Sequence, residues 1–270
     1  MSGKAVGTAC SGELAKWDPS FTRAFIAATA PVVRAYFRAE VRGLDNMPPN
    51  GGALLVSNHS GGMLTPDVPV FGPAFYQKFG YTRPLYTLAH YGIFLAPWGP
   101  MLPRLGVVHA GPGNAMGALR SGAVVLVFPG GDYDAYRPTA RQNVIDFEGR
   151  TGYARTAIEA GVPIVPMVSI GAQETQFFLS RGTALAYGLG LPRIRMDILP
   201  VSIGLPFGLT VTFPPNFPLP SKIVMQVLEP VDPASFGTNP DVDEVDDHVR
   251  RVMQRALNRL ARQRRFPILG

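Results

Sequence analysis

The sequence predicts an α/β domain in which a mostly parallel central sheet is flanked by helices, with an amphipathic helix at either end. Two observations carry that expectation. Short apolar runs alternate with helix-like segments along the middle of the chain, the pattern of buried strands joined by crossover helices. The 270 residues are 46% hydrophobic, enough to bury one large core.

From the N-terminus, residues 20–38 set Phe21, Phe25, Ile26, Val32, Val33, Tyr36 and Phe37 on a helical rhythm, with Arg23, Arg34 and Arg38 between them. Pro31 is expected to kink this helix or end its first half. The helix serves either as a core element or as an interfacial one whose arginines reach past the apolar face to water. Turn residues 48–52 (PPNGG) lead into a strand at 53–57 (ALLVS). Further strands are expected at 84–87, 123–128, 162–169 and 223–228, with helices at 114–121 and 152–160. Between 177 and 220 the composition turns to Gly, Pro, Leu and Phe with few charges. That stretch reads either as a proline-rich wrap over the core or as a greasy rim that admits apolar chains or touches a bilayer. Residues 241–265 are the strongest helix: Val242, Val245, Val249, Val252, Met253, Ala256, Leu257 and Leu260 make one stripe, acids crowd the first turns and arginines the rest, as the helix dipole favours. The expected organisation is a tail and helix over 1–42, a principal domain over 43–240, and a closing helix over 241–270 packed on that domain as one unit.

There are 25 Lys+Arg against 19 Asp+Glu, a net charge of +6, and all but four of the basic residues are arginine. Such a balance favours an anionic partner: phospholipid headgroups, nucleic acid or the phosphates of a carrier. No interleaving of aromatic and basic residues and no recognition motif supports nucleic acid, which sets that class aside. The single cysteine, Cys10, excludes an intramolecular disulfide, so nothing argues for an oxidising compartment or a thiolate metal site, and a reducing compartment is the default. The first residues lack the apolar stretch of a secretory signal, and no window of about 18 or more residues is apolar enough to span a bilayer. The expectation is a chain that is soluble or peripheral, on the cytoplasmic side of a membrane.

Chemistry concentrates in two segments. Residues 56–67 read VSNHSGGMLTPD. His59 leaves the C-terminal end of a buried strand, where open α/β sheets hold their ligands, between Asn58 and Ser60 and just ahead of Gly61 and Gly62, which allow close approach to the backbone. Imidazole titrates near neutrality and can take a proton from an alcohol, given a carboxylate to fix its tautomer. Asp67 is the nearest acid. Eight residues of unbroken helix would hold the two roughly 12 Å apart, so the pair forms only if Gly61, Gly62 and Pro66 fold the segment back. Asp132 and Asp134 are the reserve acids. His90 and His248 lack such a context and read as structural.

The second segment, residues 127–138, reads VFPGGDYDAYRP and also follows an apolar run, so its loop opens on the same sheet edge. Beside Pro129, Gly130 and Gly131 offer backbone N–H groups for an anionic oxygen, and Asp132 and Arg137 bring charge, Arg137 toward a phosphate or carboxylate.

Taken together, from about Phe37 to Asp232, these segments resemble the glycerolipid acyltransferase superfamily (PlsC-like), and within it the branch of monoacylglycerol and diacylglycerol acyltransferase-like bacterial proteins. The resemblance rests on FRAEVRGLDNMPPNGGALLVSNHSGG, PRLGVVHAG, GALRSGAVVLVFPGGDYDAYRP, GVPIVPMVSIGAQET, LPVSIGLPFGL and FPLPSKIVMQVLEPVDP in that order. It implies transfer of a fatty acyl group from acyl-CoA or acyl carrier protein to a lipid hydroxyl, with His59 as base and no metal or redox cofactor. Three positions depart from the wider pattern. The acid stands eight residues after the histidine, with Leu64 where the superfamily has it. Gly130 replaces the glutamate of the FPEG motif. His109 and Ala110 stand where phosphate-using members carry an arginine. A neutral acceptor is therefore at least as well supported as a phosphorylated one. Two other classes are weighed: a lipid hydrolase using Ser60, although no GxSxG elbow exists, and a non-catalytic lipid-binding or transfer protein.

Overall fold

The structure, a computed structural model, describes residues 12–194, 196–266 and 269; Cys10 and the beginning of the expected N-terminal tail lie outside the described residues. The strands are β1 (Glu40–Arg42), β2 (Ala53–Ser57), β3 (Leu85–Ala89), β4 (Val107–His109), β5 (Val124–Val127), β6 (Ile164–Ile170), β7 (Phe177–Ser180), β8 (Val201–Gly204), β9 (Gly208–Val211) and β10 (Val224–Val227). The α-helices that matter below are α1 (Pro19–Tyr36), α2 (Asp67–Phe79), α3 (Pro112–Arg120), α4 (Gly131–Ala135), α5 (Gly152–Ala160), α6 (Thr183–Gly188) and α7 (Val242–Gln263).

Among the described residues the main sheet has seven strands in the order β1-β10-β6-β2-β5-β3-β4. Strands β6, β2, β5, β3 and β4 run parallel; β10 pairs antiparallel to β6, and β1 pairs parallel to β10. Leu54 of β2 lies opposite Val125 of β5 and Ile164 of β6, so the strand that leads to His59 is central and wholly buried. Its alternation divides the core. Leu54 and Val56 face Ala157 of α5 and Val249, Met253 and Leu257 of α7, whereas Ala53 and Leu55 face Phe71 and Phe75 of α2. Two apolar layers, one on each side, explain why β2 is apolar at every position but its last.

Strand expectations at 84–87, 123–128, 162–169 and 223–228 fall on β3, β5, β6 and β10, with every end within two residues; β5 and β10 are shorter than expected by one residue at each end. Helix α7 begins after Asp241, whose carboxylate accepts from the N–H groups of Asp243 and Glu244 and so caps the orphan donors of the first turn. Of the two outcomes expected at Pro31, helix α1 does not show an end: it continues through the proline. Pro31 and Ala27 are both exposed, so the Ala27 carbonyl that loses its helical partner is open to water. Ile26 and Val33 of α1 pack toward α2, while Phe25, Val32 and Tyr36 face out. The division at residue 42 falls at the end of β1, a strand of the main sheet.

The stretch 177–220 is not an irregular wrap. Among the described residues it holds a second sheet, β7-β8-β9, antiparallel throughout. Periodicity does not resolve these strands, each only four residues long in a stretch rich in Gly and Pro. No helix of the described residues is long and apolar enough to cross a membrane.

Candidate active site

The parallel strands β2, β5, β3 and β6 end on one edge, and His59 and Phe128 follow β2 and β5 there. Past His59 the backbone takes left-handed conformations at Gly61 (φ +82°) and Gly62 (φ +61°), passes a single turn over Gly62–Leu64, and enters α2 at Asp67. This reversal brings the eight-residue spacing together: His59 Nδ1 lies 2.9 Å from Asp67 Oδ2. The same oxygen accepts from the Ser60 N–H at 2.8 Å and the Thr65 hydroxyl at 3.1 Å, and Asp67 Oδ1 accepts from the Ser169 hydroxyl at 3.3 Å. Asp67 is fully buried at the first turn of α2, where the helix dipole favours its negative charge. With Nδ1 engaged as donor to a carboxylate, Nε2 is the nitrogen left to take a proton. The imidazole is stacked on Phe128, centroids 4.3 Å apart, and its side chain is still 18% exposed. It is thus held on one nitrogen, supported on one face and reachable.

A second buried acid stands beneath it. Asp134 of α4 accepts from the His59 backbone N–H through Oδ2 and pairs with Arg137 through Oδ1. Burial raises the Asp134 carboxyl to about 6, against the opposing pull of Arg137 and of the His59 N–H. Its role is to anchor the histidine's backbone; the reserve acid does not reach the ring, which Asp67 holds.

Several expected ligand contacts take other partners. Arg137 is 1% exposed, and its guanidinium pairs with Asp134 and donates to the Gln142 carbonyl at 3.2 Å. A guanidinium this deep needs its counter-ion inside the protein. Asn58 is likewise buried and knits β2 to β6, donating to the Ser169 carbonyl at 2.9 Å and accepting from the Ser169 N–H at 2.8 Å. Gly61 donates its N–H to Gln173 Oε1 at 3.3 Å, and a Cβ on Gly62 would sit 2.7 Å from the Phe178 ring and 2.8 Å from Tyr136. The two glycines serve turn conformation and packing. Gly131 donates to the Phe128 carbonyl at 3.0 Å, and a Cβ on Gly130 would lie 2.5 Å from Asp134 Cβ, so Gly130 makes room for the buried acid. Pro129 is buried, and Asp132 is exposed, 3.3 Å from Arg150. Ser60 is 1% exposed, so its hydroxyl is closed to an incoming ester.

Local sequence did not single out Phe128 as the ring's support, Ser169 as a clasp on both Asn58 and Asp67, or Gln173, which also donates to the Arg137 carbonyl. Their signal was only their place just before or beyond the ends of β5 and β6. His90 accepts from the Gly92 N–H at 3.2 Å and starts a short turn, and His248 packs edge-on to Phe236. His109 makes a separate pair with Glu13, 2.6 Å, and stacks on Phe94. Among the described residues no group of three or more His, Cys, Asp or Glu is arranged to hold a metal ion.

A histidine oriented by a buried carboxylate at the C-terminal edge of a parallel sheet defines a protein equipped to move a proton during group transfer. The acyltransferase family model matches residues 38–170, which contain both His59 and Asp67. The chain belongs to the acyltransferase family. An uncharacterized protein of Mycobacterium tuberculosis is 31% identical over 94% of this chain and 70% of its own length. The human protein named DGAT1/2-independent enzyme synthesizing storage lipids is 26% identical over 70% of this chain and 56% of its own. Among solved structures, the 1-acyl-sn-glycerophosphate (LPA) acyltransferase PlsC of Thermotoga maritima superposes with a TM-score of 0.52 at 18% identity, covering 88% of this chain and 81% of that one. That likeness is one of fold.

Proposed function

We propose that this enzyme transfers a fatty acyl group from acyl-CoA or acyl carrier protein to a hydroxyl of a glycerolipid or related lipid, at a membrane surface on its cytoplasmic side, with His59 as general base. One observation carries the reading: the His59–Asp67 pair of 2.9 Å, with the imidazole still reachable on the ligand edge of the sheet. In the reaction the acceptor O–H proton passes to His59 Nε2 as the oxygen attacks the thioester carbonyl carbon. The tetrahedral oxyanion collapses, the C–S bond breaks, and the departing thiolate takes the proton from the imidazolium. Asp67 stabilises that transient cation and holds the tautomer throughout. No acyl-enzyme is required, and the buried Ser60 supports none.

The commitment of Arg137 to Asp134 favours a neutral acceptor, such as a monoacylglycerol, diacylglycerol or glycolipid hydroxyl, over a phosphorylated one. The purified enzyme is offered a panel of acyl-CoA donors with neutral and phosphorylated acceptors, and the lipids formed are read by mass spectrometry. Product with a neutral acceptor, lost in His59→Ala, is the expected result. Lipid binding without turnover by the wild type would leave a lipid-binding protein instead, and equal rates with and without His59 would remove the base.

A further inference from the structure

We infer that the small sheet β7–β9 is the surface by which the protein seats itself in the facing leaflet of a lipid bilayer, with its apolar face turned to the acyl chains. This rests on the lipid-directed reading above and adds to it which part of the molecule meets the membrane.

The sheet is built inside out. Register aligns Phe177, Ile203 and Leu209 in one cross-strand row, and all three are exposed. The adjacent row aligns Phe178, Ser202 and Thr210, and all three are buried. The polar members of the inner row are satisfied within the protein: the Ser202 and Thr210 hydroxyls are 3.0 Å apart, and buried Asn216 donates to the Gly208 carbonyl at 2.9 Å. A surface sheet in water puts its hydroxyls out and its large apolar side chains in. Here the arrangement is reversed, with the hydroxyls sealed by internal partners, and the solvent that stabilises such a sheet is hydrocarbon. The apolar face continues into the hairpin turn, where Leu205 and Phe207 are 69% and 50% exposed.

Topology places this face at the mouth of the site. Strand β6 leads into β7 at the same edge where β2 ends at His59, and Phe178 packs over Gly62 of the turn that carries the pair. On the other side of His59 and Phe128, β3 leads at that edge into a short helical segment, Tyr91–Leu95, which exposes Tyr91, Ile93 and Leu95. Because the strand order is β6-β2-β5-β3, the two apolar flanks bracket the imidazole. Charge agrees with an anionic leaflet. From residue 177 to 217 the sequence holds three arginines, at 181, 193 and 195, and a single acid, Asp197; Arg181 is held internally by the Tyr133 carbonyl and Glu148, and Arg193 is exposed. Bracketing flanks and a basic bias fit a bilayer, from which a lipid enters the site without crossing water; a second copy of the chain accounts for neither.

The test uses the full chain and floats it with phosphatidylcholine vesicles, with and without phosphatidylglycerol. Phe207→Asp/Leu209→Asp is compared with Phe25→Asp/Val32→Asp, which places the same charges on the exposed face of α1. Wild type is expected to float, more strongly with the anionic lipid. The sheet variant should lose on the order of tenfold or more in partitioning, with an unchanged melting temperature and an unchanged rate on a short-chain acceptor dissolved in water. The helix variant should float like wild type. As a milder probe, Leu209→Trp should show blue-shifted emission on vesicle binding and quenching by brominated acyl chains. Flotation unaffected by the sheet variant, loss in the helix variant alone, or a dimer in solution that only the sheet variant dissociates would each overturn the inference. If flotation follows the sheet but no acyl transfer is found with any donor, the seating stands and the enzymatic reading falls.

Discussion

Replacing Asp67 with asparagine isolates the electrostatic half of the proposed catalytic pair. Asparagine has the same shape and can still present an oxygen to the Ser60 N–H and to His59 Nδ1, now 2.8 and 2.9 Å from Asp67 Oδ2. What it lacks is the negative charge opposite the imidazolium that forms in the transition state. A hydrogen bond to a charged group contributes about 1.5–3 kcal/mol, and each ~1.4 kcal/mol is a factor of ten in rate, so kcat should fall roughly 10- to 150-fold with little change in KM. Asp67→Ala is a poorer probe, because it strands the buried Ser60 N–H and the Thr65 hydroxyl at about 1–3 kcal/mol each and confounds rate with folding. His59→Gln removes the base itself and should lower kcat by about two to four orders of magnitude, with a folded protein because the ring is partly exposed. The assay is release of CoA thiol with a detergent-dispersed acylglycerol acceptor, with melting curves run on each variant. If Asp67→Asn retains wild-type kcat while His59→Gln is inactive, the carboxylate does not act through the imidazole; if both are active, the pair is not the catalytic centre.

Three further outcomes follow from packing and burial. Gly62→Ala adds a Cβ where φ is +61° and two aromatic rings stand within 3 Å, so thermal unfolding should show a loss of about 2 kcal/mol or more; a melting temperature equal to wild type refutes it. Asp134 has its folded carboxyl raised to about 6, above the 3.8 of the unfolded chain, so the folded state holds more protons between those values and stability falls as pH rises through that window. Asp134→Asn should remove that part of the slope in chemical denaturation measured from pH 4 to 7, and an unchanged slope counts against a raised carboxyl. Arg137→Met leaves the buried Asp134 without its counter-ion and should cost about 3–5 kcal/mol, largely recovered in the double variant Arg137→Met/Asp134→Asn, as read by urea midpoints.

Elements whose burial is two-sided or strictly periodic are legible in the amino-acid order alone. Strand β2 is apolar because helices cover both its faces, and α7 shows its stripe because only one side of it meets the sheet, so composition and spacing carried both. His59 was legible for a related reason: a histidine followed by two glycines at the end of a buried strand has few structural explanations. Tertiary structure decided what those neighbours do. Arg137 and Asn58 carry the polar groups expected of ligand contacts, yet both have internal partners: Arg137 pairs with Asp134 in the same segment, and Asn58 with Ser169, far along the chain. The choice of Asp67 over Asp134 as the ring's partner depended on two left-handed glycines closing a turn, a geometry that spacing permits but does not impose. The orientation of the sheet β7–β9 stayed hidden for a deeper reason. Periodicity reports which residues differ along a strand, whereas which face is covered is set by what packs against it, and here the covered face is the polar one.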